Sequence, residues 1–198
     1  MKKIFFVVFF IYSFVSFSQT SYFVDQKGNK TIMRDDAFDV LLIDKRITYV
    51  LPGKSWEKYV KFEDLNYAVV GPSLLKSFKL DKKKKSDVYF VYGEKKDKKL
   101  IGIAISISVS HGDLTTSYTT YELYVIDNDD MILDKVITQS GNSKWKIDER
   151  KKIAPMIKNH FSDCSAIMLN ILNSEKEDEK SKSVLDFFND TSYINCKQ

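Results

Sequence analysis

The stretch from Leu100 to Ser110 constrains the fold more than any other part of this sequence. Its odd positions are Ile101, Ile103, Ile105, Ile107 and Val109; its even positions are Leu100, Gly102, Ala104, Ser106, Ser108 and Ser110. A repeat of two is that of a β-strand, whose side chains alternate between faces. Branched residues therefore share one face and mostly small ones the other. Tyr118 to Ile126 alternates as well, with Thr119, Tyr121, Leu123 and Val125 against Tyr118, Thr120, Glu122 and Tyr124. Residues opposite each other in an antiparallel pair share a face, so matching like with like sets a register. Setting Ile105 against Tyr121, Ile103 against Leu123 and Ile107 against Thr119 keeps the apolar faces together. A slip of one residue would set Ile103 against Glu122. The expected hairpin takes the first register, with its loop centred on Asp113. Its outer face carries Ser106, Ser108, Tyr118, Thr120 and Tyr124. That face is either a platform for sugar or peptide, or a set of ordinary strand tyrosines packed over small neighbours.

Strand signals fill most of the chain before this hairpin. Tyr22 to Val24 and Thr31 to Met33 flank a polar turn containing Gly28-Asn29, the pattern of a β-hairpin. Phe38 to Ile43 and Ile47 to Leu51 form a second pair, ended by Pro52-Gly53. Trp56 to Phe62, Leu65 to Val70 and, more weakly, Ser77 to Leu80 follow. Val88 to Tyr92 is apolar throughout, as a strand covered on both faces would be. Asp127 to Asp130 leads by a turn into Met131 to Thr138.

After Gly141 the period changes. Ile153, Met156, Ile157 and Phe161 recur at helical spacing, with Pro155 best placed as the first helical residue. Ser162 or Asp163 can cap a second helix to about Leu172, and Val184, Leu185, Phe187 and Phe188 suggest a short third. The stretch 174–182 is charged and serine-rich, a solvated connection. Strands first and helices last predict an α+β fold, an N-terminal antiparallel sheet of hairpins followed by two or three short C-terminal helices. The division expected is 19–145 as a β-rich region and 146–198 as a helical segment packed on the same domain.

The first eighteen residues, MKKIFFVVFFIYSFVSFS, have a different character. Lys2 and Lys3 precede an apolar run from Ile4 to Val15, and Ser16 and Ser18 occupy the −3 and −1 positions of a cleavage site before Gln19. This is the form of a signal peptide spanning 1–18, and the run falls short of the ~20 apolar residues that span a bilayer. The expectation is export through the inner membrane, cleavage near Ser18, and a periplasmic or extracellular mature chain with no transmembrane span. Removing Lys2 and Lys3 leaves 29 of the 31 Lys and Arg against 27 Asp and Glu. So balanced a chain projects no single-sign field of the kind that recruits nucleic acid. In an oxidising compartment its two cysteines, Cys164 and Cys196, are expected to form one disulfide.

Catalytic patterns are weak. Ser110-His111-Gly112-Asp113 puts a histidine and an aspartate at the hairpin tip, but no G-x-S-x-G marks a nucleophile. Asp127-Asn128-Asp129-Asp130 resembles the start of a calcium loop, yet Met131 and Ile132 stand where a ligand and a glycine are required. No cofactor, metal set or phosphate loop is expected, and Lys82 to Lys85 act as solvating charge or touch an anionic surface.

Phe161-Ser162-Asp163-Cys164, followed by a terminal Cys196, resembles the C-terminus of small secreted proteins of unknown function in Gram-negative bacteria. There an aromatic-x-Asp-Cys step joins two helices and a last cysteine follows some thirty residues on. The resemblance covers about a quarter of the chain, departs at Ser165 where proline is common, and implies export and a disulfide without an activity. The function expected is a non-catalytic binding or accessory module of the envelope, with an envelope protein or glycan as partner. A hydrolase centred on His111 and Asp113 is the alternative.

Overall fold

Short hairpins succeed one another along the chain and then give way to helices. The computed structural model describes residues 20–111 and 114–196. Strands β1 (Tyr22–Asp25), β2 (Lys30–Ile32), β6 (Leu65–Val70), β7 (Ser73–Phe78), β8 (Asp87–Glu94), β9 (Lys98–His111), β10 (Leu114–Asp127) and β11 (Ile132–Gln139) build one large sheet. Its order is β11-β10-β9-β8-β7-β6-β1-β2, antiparallel throughout, and a short β12 (Ile194–Asn195) lies parallel beside β8. Strands β3 (Phe38–Leu41), β4 (Arg46–Val50) and β5 (Glu57–Lys61) form a second, antiparallel sheet. Helices α1 (Lys144–Arg150), α2 (Ile153–Phe161) and α3 (Ser165–Ser174) follow, then a 3-10 segment at Ser183–Asn189. This is the α+β arrangement expected, antiparallel sheet first and helices last.

One face of the large sheet carries two different covers. At one end Ile47, Tyr49, Val60 and Phe62 of the small-sheet region pack on Phe23, Ala68 and Leu75. At the other end Ile153, Ile157, Phe161, Ile167 and Ile171 pack on Tyr92, Leu100, Leu123 and Val125. The opposite face holds a third cluster, in which Tyr89, Val91, Ile101, Ile103, Tyr124 and Ile126 meet Phe78 and Leu80.

The register of β9 and β10 differs from the one expected. Ile103 stands opposite Glu122, Ile105 opposite Thr120 and Ile107 opposite Tyr118. Matching like with like fails because both faces are buried at this end, so neither is free to be the polar one. On the face under the helices, position 102 has no room for a side chain. A Cβ on Gly102 would lie 2.6 Å from the Glu122 carbonyl oxygen and 3.1 Å from the Tyr92 ring. The other face takes the isoleucines, and Glu122 is tolerated among them because Tyr89 and Tyr124 both donate hydrogen bonds to it.

The C-terminal part also differs in detail. Lys144–Arg150 is helical although no apolar period announces it, and Pro155 is the third residue of α2 rather than the first. No side chain caps α3; Cys164 occupies its N-cap position. Cys164 and Cys196 form the expected disulfide, with Cα atoms 5.5 Å apart and a sequence separation of 32. Closing a loop of that length contributes about 3–4 kcal/mol in the chain-entropy model.

Candidate functional site

β8 and β9 pair only from Phe90–Gly102 to Glu94–Lys99. Beyond Gly102, β9 continues with β10 alone, so the two strands of the large sheet part. The turn between β3 and β4 fills the opening. Leu42 packs against both neighbouring clusters, Lys45 adopts a φ of 52° there, and its ammonium pairs with Asp87. What remains open is a cleft of about 320 Å³ walled by Leu42, Ile43, Ile103 and Ile105, with Lys83 also lining it.

Glu122 lies in this cleft. Tyr124 donates to its Oε2 at 3.0 Å and Tyr89 to the same oxygen at 3.3 Å. The two rings meet edge to face with centroids 5.4 Å apart. Burial, and then the charge of Glu122, hold both phenols far above their ordinary pKa. They therefore stay protonated at neutral pH and act as donors, not as phenolate nucleophiles. Asp87, the cleft's other carboxylate, has Lys45 as its partner. The polar groups thus satisfy one another around an apolar wall, which suits holding a ligand better than transferring a proton.

The cleft continues into a slot of about 410 Å³ between residues 40–44 and residues 104–107. On the far side of the β3–β4 turn, Lys45, Lys61, Lys79, Lys84 and Lys85 surround a hollow of about 350 Å³ that also contains Asp44 and Glu63. Part of the Lys82–Lys85 run therefore belongs to a basic hollow assembled from three segments of the chain.

The candidate tyrosine platform is not assembled. Tyr118, Thr120 and Tyr124 share a face with the isoleucines, whereas Ser106 and Ser108 lie on the opposite face. There Ser106 bonds to Thr119 at 3.0 Å and Ser108 to Ser117 at 2.8 Å. Tyr124 is only 6 % exposed, so it cannot stand beside Tyr118 as an open surface. The cause is the one-residue difference in register, which moves every side chain of β10 to the other face relative to β9.

His111 closes β9 at the far end of the hairpin. Eight residues separate it from Ile103, about 26 Å along a strand, so its backbone is remote from the cleft. Its side chain and Asp113 lie outside the described residues. His160, on α2, has Nε2 3.2 Å from Asp134 Oδ2, and it is half-buried there. Asp127 accepts from the amides of Asp129 and Met131, closing the turn between β10 and β11.

The chain matches no family model, no curated protein and no solved structure. Glu122 was the signal that sequence reading passed over. It is the sole charged residue of the alternating strand Tyr118 to Ile126, and it stands two residues from a tyrosine.

Proposed function

We propose that this chain is an exported, non-catalytic binding module of the cell envelope. The observation that carries the reading is the cleft and slot beside the β3–β4 turn, apolar at the walls and internally paired at its polar groups. Ile43 is 92 % exposed at its mouth, a large apolar side chain left in water where a ligand would cover it. The Cys164–Cys196 disulfide favours an oxidising compartment. The leader at 1–18 lies outside the described residues, and export rests on its sequence pattern.

Two measurements test the reading. Intact mass of the chain recovered outside the cytoplasm is expected to begin at Gln19; a chain retained in the cytosol with residues 1–18 in place overturns export. Native envelope fractions passed over immobilised protein are expected to leave a ligand on the parent that Ile43→Asp does not retain. Equal retention by both overturns the assignment of the cleft.

A further inference from the structure

We propose that the basic hollow behind the β3–β4 turn binds a phosphate monoester. This second site goes beyond the cleft and stands apart from it, sharing only Lys45 with its lining. Five lysines and two carboxylates surround it. Both carboxylates already have a cation, Asp44 from Arg46 at 3.1 Å and Glu63 from Lys61 at 3.5 Å. Lys45 pairs with Asp87. Lys79, Lys84 and Lys85 form no ion pair with any described residue. Ammonium groups gathered at one concavity repel one another until an anion enters.

Edge protection does not account for these three lysines, because the strands that flank them, β7 and β8, pair with each other inside the large sheet. The Lys82–Lys85 run also divides, with Lys83 lining the cleft and Lys84 and Lys85 the hollow. Its connection is anchored. Leu80 is buried, Asp81 accepts from the Ile132 amide at 2.9 Å, and the Lys83 amide donates to the Leu80 carbonyl at 3.1 Å. A second observation does not depend on charge. Ser86 lines the hollow, is only 7 % exposed, and its hydroxyl has no hydrogen-bond partner among the described residues. Hydroxyls so deeply buried are ordinarily bonded. A ligand oxygen held among the lysines supplies the missing partner.

Charge and size select the ligand class. A carboxylate or a sulfate ester brings a single negative charge, whereas a phosphate monoester brings about −1.5 to −2 near pH 7 and three strong acceptor oxygens. Lysine holds such a group as a point charge, while a planar carboxylate is better matched by the fork of arginine. The hollow's volume of about 350 Å³ falls in the range of small-molecule sites, roughly 300–1,000 Å³, so part of the esterified molecule enters with its phosphate.

The test is calorimetric titration of the mature, disulfide-bonded chain with glucose 6-phosphate, glucose 6-sulfate and glucose. The phosphate is expected to bind, the sulfate to bind about tenfold more weakly, and glucose not to bind. Lys84→Gln with Lys85→Gln is expected to weaken the phosphate about tenfold, and Ser86→Ala about threefold with its thermal melt unchanged. Lys151→Gln with Lys176→Gln removes the same charge at the helical end and is expected to change nothing. Phosphatidylcholine vesicles carrying phosphatidic acid or phosphatidylglycerol form the second arm. Binding of glucose 6-phosphate assigns a soluble ester; binding of phosphatidic acid vesicles without it assigns a lipid headgroup. Equal affinity for sulfate and phosphate, equal loss in the distant double variant, or equal binding of both vesicle types overturns the proposal. So does failure of both phosphate probes. If glucose 6-phosphate binds while no envelope ligand depends on Ile43, the hollow stands and the cleft assignment falls; the reverse result leaves the cleft alone.

Discussion

Tyr124 and Glu122, two residues apart on β10, are joined by a 3.0 Å hydrogen bond from the phenol to Oε2. Tyr89 reaches the same oxygen from β8 at 3.3 Å. One carboxylate thus satisfies two hydroxyls of a mainly apolar face. Glu122→Ala leaves both without that acceptor, and an unsatisfied buried polar group costs about 1–3 kcal/mol. Glu122→Gln keeps an acceptor and is expected to cost less than half as much. Urea midpoints of the two variants check the order; equal losses would mean that charge, rather than hydrogen bonding, matters at this position.

Stability at high pH follows from the same tyrosines. Burial raises the pKa of Tyr89, Tyr92 and Tyr124, and burial with a hydrogen bond to Glu94 pushes Tyr193 up to about 12. The unfolded chain releases these protons from about pH 10, whereas the folded chain keeps them. Their contribution is therefore complete below pH 10 and is lost as pH rises toward and through the folded values. Denaturant midpoints are expected to fall between pH 10 and 12, and Tyr193→Phe is expected to make that fall shallower. A midpoint unchanged from pH 9 to 11.5 would contradict the assignment.

How much of this was legible in the sequence depends on what each pattern had to decide. Alternation at Leu100–Ser110 identified a strand because only a period of two places five branched residues on one side. The same alternation could not choose the register, since that choice assumed one wet face along the whole strand and both faces are buried from Leu100 to Ile103. Glu122, which seemed to forbid the observed pairing, is made compatible with it by Tyr89, a residue 33 positions away. Cys164 and Cys196 were legible because a pair has one partner each. The slot was not, because its walls come from residues 40–44, mostly the β3–β4 turn, and residues 104–107 of β9, segments far apart in sequence.

Arg150 is fully buried, yet it hydrogen-bonds to carbonyls rather than to a carboxylate. Nε and Nη2 donate to the Lys180 carbonyl at 3.1 and 2.7 Å, and Nη1 donates to Gln139 and Gly141 at 3.1 and 2.7 Å. The guanidinium joins the end of β11 to the connection ahead of the 3-10 segment. Burial draws its pKa downward, and the charge of Asp178 opposes that. Asp178 in turn accepts from the amides of Lys180, Lys182 and Ser183, holding the connection in place. Arg150→Ala is expected to cost about 2–5 kcal/mol by stranding three carbonyls. Arg150→Lys should recover little, because an ammonium lacks the planar fork that spans them. Thermal melts of both variants decide this; full rescue by lysine would show that charge alone suffices.

Gly93 on β8 marks where α3 comes closest to the sheet. A Cβ there would lie 2.0 Å from Ile167 Cδ1 and 3.8 Å from Cys196 Sγ, so the helix and the disulfide-bearing tail both depend on its missing side chain. Overpacking of this kind costs about 1–3 kcal/mol, which Gly93→Ala is expected to show. Ile167→Ala alone opens a cavity in the helical cluster and is expected to cost about 2–5 kcal/mol. Combined, the two substitutions exchange one methyl for the atoms it would strike, and their losses should fall short of the sum by at least 0.5 kcal/mol. A double-mutant cycle from chemical denaturation measures that coupling. Strict additivity would mean that α3 moves away from β8 without resistance, and the close contact would then not determine how the helices seat on the sheet.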